Sequence, residues 1–333
     1  MINRRSILLA SLAAGAAAGL SACGEQQPEA VGDGKLTVGL TFIPNVQFSP
    51  FYVGVKEGLF AKHGLDVTLR HHGQQEDLWG AVLGGQEDIV FASADEAMVA
   101  KAGGNDLRTF ATAYQTYPLN VMGGDPAVHG SDAGLEVLKG ATLGIPGHFG
   151  SSYYAALCAI HQAGLTEADV ELVDIGYTTL SALAARQVDF AMGFVNNEGV
   201  QLSNQAIASL SIPVFDPAEA LLVGPSLVTP GTTVPEDVLR AVASGMQEAE
   251  EAIIADPQLA LDATAEHVPA MAEPEQRATA EKVLAATAGL WQRDGEVSVA
   301  VDAAAFARMG EFLRSAGIID AVPTDAHIEL DLG

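Results

Sequence analysis

The chain has 333 residues, 49% of them hydrophobic, and carries 42 acidic against 16 basic side chains, a formal net charge of −26. Such a surface repels nucleic acid and anionic headgroups, and it weighs against an anionic ligand, whose site ordinarily draws on Arg or Lys. Helix N-termini bind anions without either, so that class is disfavoured and not excluded.

Read in chain order, the N-terminus sets an expectation about location. Arg4 and Arg5 precede an apolar run, Ser6 to Leu20, of the length of a signal peptide and short for a membrane span of about 20 residues. The run ends in "LSAC", a lipobox-like pattern that predicts cleavage after residue 22 and a lipid on Cys23. The Arg4-Arg5 pair is also compatible with twin-arginine export. Residues 23–35 are polar and rich in Gly, Pro and acid, which reads as a flexible tether. The expected mature protein is therefore anchored on the outer face of the cell membrane, with a charge of −28 (14 basic against 42 acidic) once both leader arginines are gone.

From Lys35 onward short apolar runs alternate with helical patterns. "KLTVGLTF" reads as a strand, "SPFYVGVKEGLFAKHG" as a helix, "DVTLRHH" as a strand, "DLWGAVLGG" as a helix and "DIVFASA" as a strand. This is the rhythm of an α/β protein with mainly parallel sheets and helices on both faces. From Pro235 the pattern turns almost wholly helical.

Two segments share one construction. Leu83 to Glu96 and Leu183 to Glu198 each end a helix, place an Asp (Asp88, Asp189) before an apolar strand, and leave it into a polar loop. The loops carry Ser93, Asp95 and Glu96 in one copy and Asn196, Asn197 and Glu198 in the other. Two copies predict two lobes facing a shared cleft. Extended stretches at 114–124 and 221–231, broken by Pro and Gly, mark two crossings. They give lobe 1 at 36–118 plus 226–333 and lobe 2 at 119–225.

Open α/β sheets bind ligands beyond the carboxyl ends of their strands, so the junctions matter most. The first holds Phe42, Pro44, Asn45, Gln47, Phe48 and Tyr52. Another, "GIPGHFGSSYY", puts Gly147, Gly150, Ser151 and Ser152 at a helix N-terminus, with free N–H groups and hydroxyls for an acceptor. Its spacing is neither a dinucleotide fingerprint nor a P-loop. The eight histidines show no metal-ligand spacing, and Cys158 lies on an apolar helix face as a core filler. Neither a cofactor nor a metal is expected.

The segments "LTFIPNVQFSPFYVGVKEGLFAKHGLDVTL", "VLGGQEDIVFASADEAMVAKAGG", "LKGATLGIPGHFGSSYYAAL" and "ALAARQVDFAMGFVNNE" resemble the substrate-binding proteins of ABC importers, over about residues 36–320. The branch they are most similar to binds thiamine-pyrimidine precursors and riboflavin, and includes thiamine-pyrimidine synthases. The resemblance implies a type II periplasmic-binding-protein-like fold, a cleft that closes on a small heteroaromatic ligand, no catalysis, and a monomer that meets a permease–ATPase complex. On that reading Phe42, Phe48, Tyr52, Tyr114 and Tyr117 offer ring faces, and Asn45, Gln47, Glu96, Asn197 and Glu198 read polar ring edges. A sulfonate or nitrate is the second reading. A synthase is the third, since that chemistry uses a cysteine-rich motif and a histidine, and this chain offers Cys158 and Glu96 instead.

Overall fold

The computed structural model describes residues 34–73 and 76–332. The predicted leader, Cys23 and nearly all of the tether lie outside the described residues. Among the described residues no helix is long and apolar enough to cross a membrane.

Ten strands form two five-stranded sheets of the same design. The first holds β1 (Lys35–Leu40), β2 (Asp66–His71), β3 (Ile89–Ser93), β4 (Leu107–Thr112) and β10 (Pro225–Pro230), in the order β2-β1-β3-β10-β4. The second holds β5 (Leu119–Gly123), β6 (Thr142–Ile145), β7 (Glu171–Asp174), β8 (Phe190–Phe194) and β9 (Leu210–Pro213), in the order β7-β6-β8-β5-β9. In each sheet the first three strands are parallel and the fourth runs against both neighbours. That fourth strand, β10 or β5, is the one that has just crossed from the other lobe. This is the two-lobe α/β architecture anticipated from the sequence, with one antiparallel strand in each sheet.

The internal echo lands on equivalent places, β3 and β8 with their exits. Its two aspartates do the same work. Asp88 accepts the Thr37 N–H at 2.7 Å and Asp189 accepts the Thr142 N–H at 2.9 Å, so the start of β3 is tied to β1 and the start of β8 to β6.

Alternation in β1 buries Leu36, Val38 and Leu40 against the helices. The helix predicted over 49–64 is two pieces, Ser49–Lys56 and Leu59–Lys62, because Gly58 takes φ +70° and breaks the ladder. Phe60 of the second piece wedges between Gly54 and Gly245, where a Cβ on either would sit 2.4–2.5 Å from its ring. The first core lies between β1–β3 and the helices Ser49–Lys56, Glu236–Ala255, Pro257–Ala265 and Pro274–Leu290, with Trp291 fully buried. The second core sits beneath β5–β9 with the Gly150–Gln162 helix. The Ala303–Ser315 helix joins this second core and lies against the Ala94–Ala102 helix, although its sequence follows the first lobe.

One buried group departs from the apolar pattern. Glu250 is fully buried on the Glu236–Ala255 helix, and neither carboxylate oxygen meets a protein hydrogen-bond partner. Burial pushes its pKa well up, so it sits there as a neutral acid.

Candidate ligand-binding cleft

The carboxyl ends of both sheets face each other. From lobe 1 come the β1 exit (41–47) and the β3 exit (93–96); from lobe 2 come the exits of β6 (146–152), β7 (175–177) and β8 (195–198). None of these stretches contains Lys or Arg.

Phe42 is partly exposed at the end of β1, and its ring lies 6.3 Å from that of Tyr177, across the cleft at 52°. Tyr177, 63% exposed, was not singled out from the sequence. Its position directly after β7 was the available signal, since the neighbouring exits after β6 and β8 both supply cleft residues. Pro44 and Asn45 are partly exposed beside Phe42. The Asn45 side chain closes its own loop, accepting the Gln47 N–H at 2.9 Å and donating to the Ile43 carbonyl at 3.2 Å.

At the β3 exit the focal group is Asp95, which is fully buried. It accepts from the Ser151 hydroxyl at 2.6 Å, the Tyr117 hydroxyl at 2.9 Å and the Glu96 N–H at 2.7 Å. Burial raises its pKa even against these donors. Glu96, next along and only partly exposed, is pushed up to about 8, by burial first and then by the Asp95 charge. A second carboxylate so close to the first is costly, and the pair holds a proton. Facing them is the N-terminus of the Gly150–Gln162 helix, whose free N–H groups favour negative charge. Gly150, at φ +72°, lets that end approach so closely that a Cβ there would stand 2.8 Å from Glu96 Oε1. Gly147 is buried under the Phe149 ring, Ser152 is partly exposed, and Ser93 leads into the Ala94–Ala102 helix.

At the β8 exit Asn197 and Glu198 are partly buried. Glu198 accepts the Phe194 N–H at 2.9 Å, and burial raises its pKa. Asn197 is bound to Glu198 at 3.3 Å and Gln201 at 2.7 Å.

Tyr52, Tyr114, Asn196 and Phe48, all singled out from the sequence, take other places. Tyr52 is 1% exposed; its ring stacks on His267 at 4.1 Å and its hydroxyl meets His71. Tyr114 and Asn196 are buried together, Asn196 donating to Thr287 at 2.9 Å and to the Tyr114 hydroxyl at 3.4 Å, with Gln47 on the same hydroxyl. Phe48 packs edge-on against Phe91 and His71. These aromatics support the cleft from beneath, because the C-terminal helices cover the faces a ligand would need. Cys158 is a buried free thiol, and among the described residues no group of three His, Cys, Asp or Glu could hold a metal. A groove of about 460 Å³ lies elsewhere on lobe 2, around Leu135, Gln162 and Phe215, where the two lobes do not meet.

The sequence matches the NMT1/THI5 like family over residues 45–260, and the chain belongs to that family. It is similar to the riboflavin-binding protein RibY of Chloroflexus aurantiacus, 29% identical over 302 residues, 88% of this chain and 84% of the relative. A more distant similarity, 24% over 168 residues, covers about half of each chain and relates it to the 4-amino-5-hydroxymethyl-2-methylpyrimidine phosphate synthase of Uromyces fabae. In fold it is similar to the aliphatic sulphonate binding protein SsuA of Escherichia coli, with a TM-score of 0.67 at 14% identity, covering 88% of this chain and 90% of that one. The ligand-binding component of an ABC-type import system from Staphylococcus aureus superposes with a TM-score of 0.65 at 14% identity, covering 90% and 97%. The fold is that of the ABC-type substrate-binding proteins.

Proposed function

We propose that the protein is the substrate-binding component of an ABC importer and captures a flat nitrogen heterocycle, riboflavin first and a thiamine pyrimidine second, without altering it. The observation that carries this reading is the pair of rings on opposite lobes, Phe42 and Tyr177. A planar ring held between two others needs about 7–8 Å between their planes, two contact distances of roughly 3.5–4.0 Å. At 6.3 Å the two rings fill that gap themselves, so a small parting of the lobes admits a ligand ring and closure clamps it. Glu96, Asn197 and Glu198 lie on the same edge and can meet polar ring atoms. The similarity to RibY supports riboflavin over the pyrimidine. The lack of Lys and Arg on the five strand exits disfavours a sulfonate.

Export, a lipid on Cys23 and delivery to a permease as a monomer complete the proposal. Calorimetric titration with riboflavin, hydroxymethylpyrimidine, thiamine and an alkanesulfonate tests the ligand. Tight one-to-one binding of a heterocycle recovered unchanged supports the reading. Binding of the sulfonate alone, or conversion of the heterocycle, overturns it.

A further inference from the structure

The Phe42–Asn45 loop is tied from below by two rings. His71, at the end of β2, has Nδ1 2.9 Å from the Phe42 carbonyl and Nε2 2.9 Å from the Tyr52 hydroxyl. A carbonyl only accepts, so Nδ1 carries the proton, Nε2 is bare, and the Tyr52 O–H donates to it. One chain of hydrogen bonds therefore runs from Tyr52 through His71 to Phe42, at the start of the loop.

We propose that His71 and Tyr52 are positioning residues for ligand binding: the Tyr52 hydroxyl fixes the His71 ring, His71 holds the Phe42 carbonyl, and together they preset the loop so that Phe42 faces the cleft. This rests on the reading that the ligand stacks on Phe42. Other groups around His71 are few. His267 lies 6.3 Å away, stacked on Tyr52, beside Glu266, which pairs with Lys56. Phe48 packs edge-on at 5.4 Å. On the strand itself Arg70 and His72 are both bound to Glu87, and Arg70 also to Glu76. No carboxylate touches the His71 ring to hold a second proton there. Burial holds its pKa below the ordinary histidine value, against the pull of the Phe42 carbonyl and with help from His267 and His72. The chain is therefore intact at neutral pH.

The test compares wild type with Phe42→Ala, Tyr52→Phe, His71→Ala and His71→Asn. Two measurements are made on each: riboflavin affinity by fluorescence quenching, and hydrogen exchange of the 42–47 amides in the ligand-free protein. Tyr52→Phe removes a single oxygen and keeps the ring, so the variant folds. Tyr52→Phe and His71→Ala should each speed exchange in the loop and weaken riboflavin about tenfold. His71→Asn, which returns a donor near the place of Nδ1, should recover part of both. Unchanged loop exchange in both Tyr52→Phe and His71→Ala overturns the proposal. If Phe42→Ala binds riboflavin as wild type does, or wild type binds none, the stacking reading fails instead, and loop exchange alone still decides the positioning role.

Discussion

Asp95, carried by lobe 1, accepts the hydroxyl proton of Ser151, carried by lobe 2, at 2.6 Å, and the contact is fully buried. A charged group so placed is stable only while its donors stay with it. The contact links the closing of the lobes to the satisfaction of one carboxylate.

Ser151→Ala should therefore cost about 1–3 kcal/mol of unfolding free energy, the penalty of leaving a buried acceptor short of a donor. Ser152→Ala, one residue on and partly exposed, should stay within about 0.5 kcal/mol. Urea unfolding of the two variants separates the cases; equal losses would deny Asp95 any special dependence on Ser151.

Tyr177→Ala should weaken riboflavin by about 1–3 kcal/mol, the usual worth of stacking on an aromatic face. Its side chain is mostly exposed, so the thermal midpoint should not move. Titration and calorimetric melting on one preparation check both halves. A loss of stability without a loss of affinity would make Tyr177 a packing residue.

Gly150→Ala faces two obstacles, a positive φ and the Glu96 oxygen 2.8 Å from the new Cβ. The backbone cost alone is about 1–2 kcal/mol. Relief by parting the lobes should also widen the cleft, so riboflavin binding should weaken and small-angle scattering should show a larger radius of gyration. An unchanged radius would locate the strain within the loop.

Stability should depend on pH in an unusual sense. Glu250, Glu96 and Glu198 all have raised pKa values in the folded state. Above the ordinary carboxylate value of about 4.3 the unfolded chain releases these protons while the folded chain keeps them. The folded state then binds more protons, and stability falls as pH rises, by up to about 1.4 kcal/mol per pH unit for each group, until that group's folded pKa is passed. For Glu96 the window closes at about 8. Urea midpoints at pH 5, 6, 7 and 8 should decline in order, and Glu250→Gln should flatten the decline. Midpoints that rise with pH would show that these carboxyls are ionised in the fold.

What the sequence exposes and what it hides divide along a physical line. Phe42, Glu96, Ser151 and Asn197 sit at strand exits, and the alternation of apolar runs with polar junctions points to such places without knowledge of the packing. Tyr52 and Tyr114 sit equally close to junctions, but whether they face a ligand or a core is decided by His267 and Thr287, more than 150 residues away. Asp95 hides for a related reason: its worth comes from Ser151 and Tyr117, and a lone acid at a helix start reads as an ordinary first-turn residue. The break at Gly58 was visible as a glycine, yet the apolar period on both sides overrode it.

β4 meets the remainder of its sheet only through β10, and its outer edge is covered by Ala326 and Ile328, which exchange hydrogen bonds with Thr109. Both partners come late in the chain. β5 to β9, by contrast, form an uninterrupted stretch of sequence. When the polypeptide emerges from a ribosome or a translocation pore, the second sheet has all its strands before the first has its fourth. The lobe that starts the sequence is thus the last to complete its sheet, and a chain stopped short of Pro225 leaves β4 with nothing to pair with.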